Sequence, residues 1–369
     1  MRVGIVLEQA LGPVPGGIGR AALELAAALA RTAGPADSVT STTAWHRDVS
    51  AAVVAGVAGP RRLPLPARPL AVAWSRGVGP VPARADVVHA PSLLLPPRWR
   101  TRPRVVMIHD AVPWTHPETL TPHGVRWHVA MAQRAVRTGA HVVTPTRTVA
   151  DQLRGVLAGL DEVTVLGAGV SAQLRTPPSP QRLAETRRRL GLPERFLLSL
   201  ATLEPRKGLD VAIAALGRLG ARGLPLLVAG QPGWGGVDLA ASARTAGLPD
   251  GSVRALGRVS DDDLRVLLHD AQALLAPSRA EGFGLPVAEA MAAGTPVIVS
   301  DAPALVEVAG GAALVTPVGD DAALAGAVEA LIGSAAERER LAAAGRVRAA
   351  AFDWDVVAGR AWELYRRIG

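Results

Sequence analysis

Short β-branched apolar segments alternate along the chain with longer Ala- and Leu-rich segments in which apolar residues recur with the helical period. The strands predicted in the first half lie at residues 3–7, 39–43, 87–89, 105–108, 142–144 and 163–166. Those predicted in the second half lie at residues 196–201, 226–229, 253–256, 273–275, 297–299 and 313–315. Helices are predicted between the strands at residues 18–31, 124–137, 148–157, 208–218, 261–269, 286–293 and 321–332. This alternation predicts parallel sheets that are covered by helices on both faces.

A proline-rich stretch, Arg175-Thr176-Pro177-Pro178-Ser179-Pro180, interrupts the alternation and predicts a stiff, extended linker. A length of 369 residues also favours two domains. We therefore predict an α/β protein with two doubly wound, Rossmann-like domains, at residues 1–175 and 182–350, that face each other across a cleft. Ligands of such sheets bind at the carboxyl ends of the strands, so the cleft is the expected site.

Composition narrows the classes of function. The net charge of +8 fits an anionic membrane surface or a negatively charged small substrate, whereas dispersed arginines and the lack of a reader module disfavour nucleic acid. The absence of cysteine excludes disulfides and thiolate metal sites and fits a reducing compartment. Residues 1–7 form too short an apolar run for a signal peptide, and no apolar run of membrane-spanning length is uninterrupted.

One lysine, Lys207, stands among 39 arginines and follows Arg206 after a predicted strand. A GC-rich genome explains the bias against lysine codons, and a chance survivor on a solvated loop is one interpretation. The other is functional, because lysine is a compact point charge where arginine is a planar fork. Two cations at the carboxyl end of a strand, beside a helix start, suit a diphosphate.

Two glycine-containing loops offer further ligand contacts. Gly16-Gly17-Ile18-Gly19-Arg20 precedes a long predicted helix and suits a phosphate, although Gly17 lies too far past the first strand for a nicotinamide-binding turn. The second loop runs from Ala280 to Pro286, ahead of a short helix that contains Glu289. The carboxylates of Glu281 and Glu289 could accept hydrogen bonds from adjacent hydroxyls of a sugar or ribose, or could simply favour the positive helix end.

His109-Asp110 ends the predicted strand at residues 105–108. A histidine placed there could hydrogen-bond a sugar hydroxyl or stabilise charge, and the alternative is a capped loop histidine. No spacing of histidine, aspartate and glutamate indicates a tight metal site.

The residues at 257–264 and 277–297, with Glu281 and Glu289 as a Glu-x7-Glu pair, resemble the signature of glycosyltransferase family 4. Members of this family are retaining, nucleotide-sugar-dependent enzymes with the GT-B fold. The run at residues 202–208 resembles a branch rich in mannosyltransferases, although Thr202 stands near the position where many members have arginine. The resemblance covers the second domain strongly and also implies a final helix, within residues 351–369, that crosses back to the first domain.

The resemblance implies a role for each candidate residue. The donor diphosphate would be held by Arg206, Lys207 and the amides of Gly16 and Gly17. The transferred sugar would be held by Glu281 and the amides of Gly282, Phe283, Gly284 and Leu285. Glu289 would bind the ribose, Arg258 and Val259 would border the base, and His109 would contact the donor sugar. His109, Asp110 and Glu281 are thus the expected catalytic residues, without a metal.

These observations predict a retaining glycosyltransferase that moves a hexose from a nucleotide diphosphate sugar, which serves as co-substrate, to a sugar, lipid-linked or polysaccharide acceptor. Mannose from GDP-mannose is the first expectation, and no other cofactor or nucleic acid is expected. The predicted location is cytoplasmic, with peripheral association at the inner face of the membrane as an additional option. A nucleotide-sugar epimerase of the same fold and a non-catalytic sugar-nucleotide binder are the alternatives.

Overall fold

A computed structural model describes residues 1–12, 16–82, 85–99 and 102–369. The chain forms two compact units, and each is described by itself. Unit 1 comprises Met1–Gly169 with Phe352–Gly369, and unit 2 comprises Val170–Ala351. Each unit contains one parallel sheet with helices, so the predicted pair of doubly wound α/β sheets is confirmed.

Unit 1 contains a seven-stranded sheet of order β3-β2-β1-β4-β5-β6-β7 among its described residues, and its strand pairs are parallel. The strands are β1 Arg2–Val6, β2 Ser38–Trp45, β3 Ala58–Pro66, β4 Val87–Ala90, β5 Arg104–Met107, β6 His141–Thr144 and β7 Val163–Val165. The first helices are α1 Gly16–Arg31, α2 Ala67–Ser75, α3 Val112–Thr115, α4 Pro122–Arg137 and α5 Arg147–Val156. The order reverses between β1 and β4, and such a switch point is where loops diverge and ligands bind.

The hydrophobic pattern did not predict β3 and α2. Residues 58–66 contain Pro60, Pro64 and Pro66, and proline cannot donate to a sheet ladder. The structure accommodates them because β3 lies at the edge of the sheet, paired on one side only with β2. Most of its residues are exposed, so it lacks the buried run that marks a central strand.

Unit 2 repeats the same order in a six-stranded parallel sheet, β10-β9-β8-β11-β12-β13. The strands are β8 Leu197–Leu200, β9 Leu226–Ala229, β10 Val253–Gly257, β11 Ala273–Ala276, β12 Val297–Ser300 and β13 Leu314–Thr316. The helices are α6 Pro180–Leu190, α7 Leu209–Leu219, α8 Leu239–Thr245, α9 Asp261–Asp270, α10 Leu285–Ala293, α11 Pro303–Ala309, α12 Asp321–Gly333 and α13 Ala335–Ala349. Here the switch point lies between β8 and β11.

The boundary between the units falls at Gly169 and Val170, six residues before the predicted linker. Leu174 is buried, and its carbonyl oxygen accepts a hydrogen bond from His269 Nε2 on α9 at 3.0 Å. Residues 170–175 therefore pack on unit 2. Pro180 begins α6, because the first helical position needs no N–H donor, and the Ser179 hydroxyl caps that helix.

The chain returns to unit 1 at Phe352 and ends in helix α14, Trp354–Ile368. Its apolar face buries Trp362 and Tyr365, and Trp362 Nε1 donates a hydrogen bond to the Leu29 carbonyl oxygen on α1 at 3.3 Å. An ion pair between Arg31 and Asp355 adds to the contact of α14 with α1.

Candidate active site

The loops that follow β8 and β11 come into direct contact at the switch point of unit 2. The β8 loop contains a short helical turn, Pro205–Lys207, and ends at Gly208, which has a φ of 65°. A Cβ atom added to Gly208 would lie 2.0 Å from the carbonyl oxygen of Pro277, which follows β11. Only glycine allows both this backbone conformation and this close approach. The two loops are thereby held close enough for their side chains to meet.

Three predicted residues meet at this contact. Lys207 Nζ donates to Glu281 Oε1 at 2.6 Å, and the Arg206 guanidinium donates to Glu281 Oε2 at 3.0 Å. The buried Ser278 hydroxyl also donates to Glu281 Oε1, at 2.8 Å. The side chains of the three charged residues are only 12–16% exposed, so solvent screens their interactions weakly.

The charges control the ionisation of Glu281. Burial alone would raise the pKa of this carboxyl, but the Lys207 and Arg206 charges, with hydrogen bonds from Lys207 and Ser278, outweigh it. They hold the pKa at about 2, below the ordinary 4.5. Glu281 is therefore a carboxylate at neutral pH, able to accept hydrogen bonds from hydroxyls and unable to act as a general acid.

Glu204 is a second carboxylate in this cluster that the sequence analysis did not single out. Its Oε1 accepts from the Arg206 guanidinium at 2.6 Å, and the same guanidinium donates to the Ala280 carbonyl oxygen at 2.8 Å. Arg206 thus bridges both loops. Ser278 was also missed, because a serine three residues before a glutamate carries no distinctive signal without the loop geometry.

The β11 loop leads into α10 through Gly282, Phe283 and Gly284. Gly284 has a φ of 87° and caps the helix, and a Cβ atom there would lie 2.5 Å from Leu305 Cδ2. The Phe283 side chain is buried, so its backbone rather than its ring is suited to ligand contact. N–H groups at a helix start carry partial positive charge and suit anions or hydroxyls.

Glu289 lies in α10 with 3% exposure, so its carboxylate is positioned by the helix and not by solvent. Arg258 and Val259 directly follow β10 at its carboxyl end. Strand β9 separates β10 from β8 in the sheet, so these two residues lie about 10 Å along the sheet from the β8 loop.

The remaining predicted residues belong to unit 1. Gly16, with a φ of 57°, and Gly17 open α1, and both are exposed. Their role as a phosphate site stays a prediction from the sequence.

His109 lies just after β5, near the carboxyl edge of the unit 1 sheet. Its Nε2 lies 2.7 Å from the Pro91 carbonyl oxygen, and because a carbonyl only accepts, the proton is on Nε2. Burial lowers the pKa of His109, despite opposing contributions from Pro91 and Asp110, so the ring is neutral at neutral pH. Its Nδ1 then carries a lone pair that can accept a hydroxyl proton. Asp110 Oδ1 accepts from Val112 N at 3.1 Å and so caps the turn that opens α3.

Among the described residues, no group of three or more His, Cys, Asp or Glu residues is arranged to hold a metal ion. No helix in the described parts of the chain is both long and apolar enough to cross a membrane.

The chain resembles known proteins over about three quarters of its length. The family model for glycosyl transferases group 1 matches residues 183–348. The chain is 30% identical over 278 residues to the O-antigen chain mannosyltransferase B of Escherichia coli, covering 73% of this chain and 71% of the relative. It is 33% identical over 298 residues to the glycogen synthase of Mycobacterium tuberculosis, covering 76% and 69%. The chain belongs to the glycosyltransferase group 1 family.

Solved structures share the fold of this glycosyltransferase. Sucrose-phosphate synthase from Thermosynechococcus elongatus matches with a TM-score of 0.77 at 19% identity, covering 100% of this chain and 98% of the other. Anabaena HepE, solved in complex with UDP and glucose, matches with a TM-score of 0.76 at 19% identity, covering 100% of both chains. The GT-B fold predicted from the sequence is thus confirmed.

The chain is accordingly a retaining glycosyltransferase that transfers a hexose from a nucleotide sugar. Its family membership confirms the predicted enzyme class.

Proposed function

We propose that this glycosyltransferase transfers mannose from GDP-mannose to a sugar, lipid-linked or polysaccharide acceptor, in polysaccharide biosynthesis. The identity to a mannosyltransferase of O-antigen chains supports this sugar and this acceptor class. The relation to a glycogen synthase supports glucose as the second candidate. A cytoplasmic location, with peripheral membrane association as an option, accompanies the proposal and rests on the cysteine-free composition and the basic charge.

The observation that carries the proposal is the cluster of Lys207, Arg206 and Glu281 at the switch point of unit 2. Lys207 and Arg206 would bind the donor diphosphate, and Glu281 would accept hydrogen bonds from hydroxyls of the transferred sugar. Negative charge grows on the diphosphate as the glycosidic bond breaks. Cations already fixed at that position stabilise this charge without reorganising during the reaction.

The remaining assignments follow the family resemblance and the groups that each residue presents. The backbone amides of residues 282–285 would hold sugar hydroxyls, and Glu289 would bind the ribose. Arg258 and Val259 would border the base. In unit 1, the amides of Gly16 and Gly17 offer N–H groups to phosphate, and His109 Nδ1 offers a lone pair to a sugar hydroxyl. The Asp110 carboxylate would act by fixing the His109 loop.

A ligand panel tests the donor. Thermal unfolding would be followed with GDP-mannose, UDP-glucose, ADP-glucose and the corresponding nucleoside diphosphates, because a ligand that binds the folded state raises the melting temperature. We expect GDP-mannose to give the largest shift and Lys207→Ala to lose most of it. The control Arg218→Ala removes an exposed arginine of the same unit and should keep it. No shift with any nucleotide sugar would refute the donor site.

Product analysis separates the alternatives. Incubation with the preferred donor should release the nucleoside diphosphate and, with acceptor, a glycoside of retained anomeric configuration. A 2-epimerised sugar as the product would indicate the epimerase, and binding without any turnover would indicate a non-catalytic binder.

A further inference from the structure

The turn that carries Arg206 and Lys207 has a second attachment to the β11 loop, through Arg279. The backbone N–H of Arg279 donates to the Arg206 carbonyl oxygen at 2.8 Å. Its guanidinium donates to the Pro205 carbonyl oxygen at 2.6 Å. Arg279 therefore contacts the backbone of the turn, whereas Glu281 contacts its side chains.

The same guanidinium also binds the start of the next helix. It donates to both carboxylate oxygens of Asp210, at 2.9 and 2.6 Å, in the two-point geometry that fixes an arginine most firmly. Asp210 lies in the first turn of α7, directly after the Pro205–Lys207 turn and Gly208. Arg279 thus joins two consecutive parts of the chain, the turn and the start of α7, to its own β11 loop.

The turn itself has few internal hydrogen bonds. Lys207 N donates to the Glu204 carbonyl oxygen at 3.1 Å, and Gly208 N donates to the Pro205 carbonyl oxygen at 3.2 Å. A helical turn of three residues with two such bonds does not hold its shape alone. Small displacements of groups that bind a reacting ligand are costly in rate, so the external bonds from Arg279 matter for the placement of both cations.

We propose that Arg279, with Asp210, is a positioning residue that preorganises Arg206 and Lys207 for the second phosphate of the donor. This inference rests on the proposed function of these two cations as the diphosphate site. Arg279 would act through the turn and not by touching the donor. Its loss should therefore weaken binding of nucleoside diphosphates and leave nucleoside monophosphates, which lack the second phosphate, little affected.

The alternative is an ordinary surface ion pair that contributes little, because Asp210 is 59% and Arg279 31% exposed. The chain offers a matched control in Arg218 of α7 and Asp321 of α12. Arg218 also donates two hydrogen bonds to one carboxylate, at 2.8 and 3.2 Å, but contacts no part of the turn. Arg218→Ala therefore measures how the loss of an ion pair of this kind alone affects nucleotide binding by unit 2.

The test is calorimetric titration of UMP, UDP, GMP and GDP into the wild type and the variants Arg279→Ala, Arg279→Lys, Asp210→Asn and Arg218→Ala. We expect Arg279→Ala to lose about five- to tenfold in affinity for the preferred diphosphate, and less than about twofold for the matching monophosphate. Arg279→Lys should recover part of the loss, and Asp210→Asn should lose about twofold to fivefold. Arg218→Ala should match the wild type.

Equal losses for mono- and diphosphate, or a diphosphate affinity equal to that of Arg218→Ala, would overturn the inference. Lys207→Ala separates this outcome from failure of the proposed function. If Lys207→Ala abolishes the diphosphate preference and Arg279→Ala keeps it, only the positioning role is wrong. If the wild type does not prefer diphosphates to monophosphates, both the proposed diphosphate site and the positioning role are wrong. Circular dichroism checks that each variant folds. If Arg279→Ala does not fold, the affinities of Asp210→Asn, which changes an exposed carboxylate, test the positioning role instead.

Discussion

Replacing Glu281 by glutamine should tighten binding of the nucleoside diphosphate while slowing turnover. In the free enzyme the Glu281 carboxylate occupies Lys207 and Arg206, the two groups proposed to bind the diphosphate. Phosphate oxygens must compete with it for these cations. Glutamine keeps the shape and removes the charge, so the competition weakens. Glutamine should also accept hydrogen bonds from the sugar hydroxyls more weakly than the carboxylate does. These hydrogen bonds serve the transfer step, so turnover should be slower.

The pKa of Glu281 sets the scale of this effect. Its fall from 4.5 to about 2 corresponds to about 3 kcal/mol in favour of the charged form. This net value contains the opposing effect of burial and the hydrogen bond from Ser278, and the cations can contact both anions at once, so only part of it is given up when phosphate binds. If about a third is given up on binding, the gain is about 1 kcal/mol, or about fivefold in affinity. Turnover should fall about ten- to a hundredfold for the loss of a charged hydrogen bond.

Titration calorimetry with GDP and UDP, together with initial rates at saturating donor, measures both changes. Glu337→Gln is the matched control, since Glu337 pairs with Arg340 on α13 in the same unit but away from the cluster. Weaker diphosphate binding by Glu281→Gln, combined with unchanged turnover, would refute the competition between carboxylate and phosphate.

The lowered pKa also fixes the sign of a pH effect on stability. A carboxyl whose pKa is lower in the folded state stabilises fully above its unfolded pKa of 4.5, and the stabilisation is lost as the pH falls towards about 2. The melting temperatures of wild type and Glu281→Gln should therefore differ by a constant amount at neutral pH and converge between about pH 4.5 and pH 2. A gap that persists at pH 2 would show that the charge is not its cause.

Three further predictions concern single positions. Lys207→Arg should lower kcat/KM about tenfold although the charge is kept. The Lys207 side chain is only 14% exposed, and the planar guanidinium of arginine cannot replace its compact ammonium group there. A kcat/KM near that of the wild type would contradict this. Gly208→Ala should destabilise by more than about 1 kcal/mol in denaturant unfolding, and by more than Gly311→Ala, which shares a positive φ but meets no neighbouring atom. For His109, the acid limb of the kcat/KM profile, where Nδ1 becomes protonated, should lie below the ordinary histidine pKa of 6.5, because burial lowers the pKa of this ring; His109→Gln should remove the limb.

The strand pattern predicted most of the fold because central parallel strands are buried on both faces. Strand β9 was predicted at its observed bounds, and most other central elements within one or two residues. The failures were elements that lack such a pattern. Strand β3 is an exposed, proline-containing edge strand, and α6 begins at a proline that was interpreted as part of a linker. In β3 the position at the sheet edge overrode local propensity, whereas Pro180 occupies the first helical position, where proline is favoured.

The sequence named the main charged residues of the cluster but not their partners. Lys207, Arg206 and Glu281 were found through their types and the family motif. Glu204, Ser278 and the Arg279–Asp210 pair were not. Arg279 and Asp210 are 69 positions apart. Glu204 and Ser278 contact Arg206 and Glu281, which meet only because two loops 75 positions apart come together. Many charged loop residues are simply exposed to solvent. Whether such a residue contributes to the site depends on the direction of its side chain, which sequence spacing does not predict.

The strand order explains why the sequence identified the protein family but not the sugar donor. The order β9-β8-β11 places β8 beside β11, although two strands, β9 and β10, and three helices, α7, α8 and α9, lie between them in sequence. The loops leaving β8 and β11 therefore meet there. Those loops hold the cations and Glu281, which would act on groups common to every nucleotide diphosphate sugar. We propose that the base and the acceptor are recognised by other loops, such as the one after β10 that contains Arg258 and Val259. The residues whose positions are fixed by the sheet topology therefore identify the type of reaction. Exchanging the loop after β10 should change the nucleotide base that the enzyme prefers without abolishing sugar transfer.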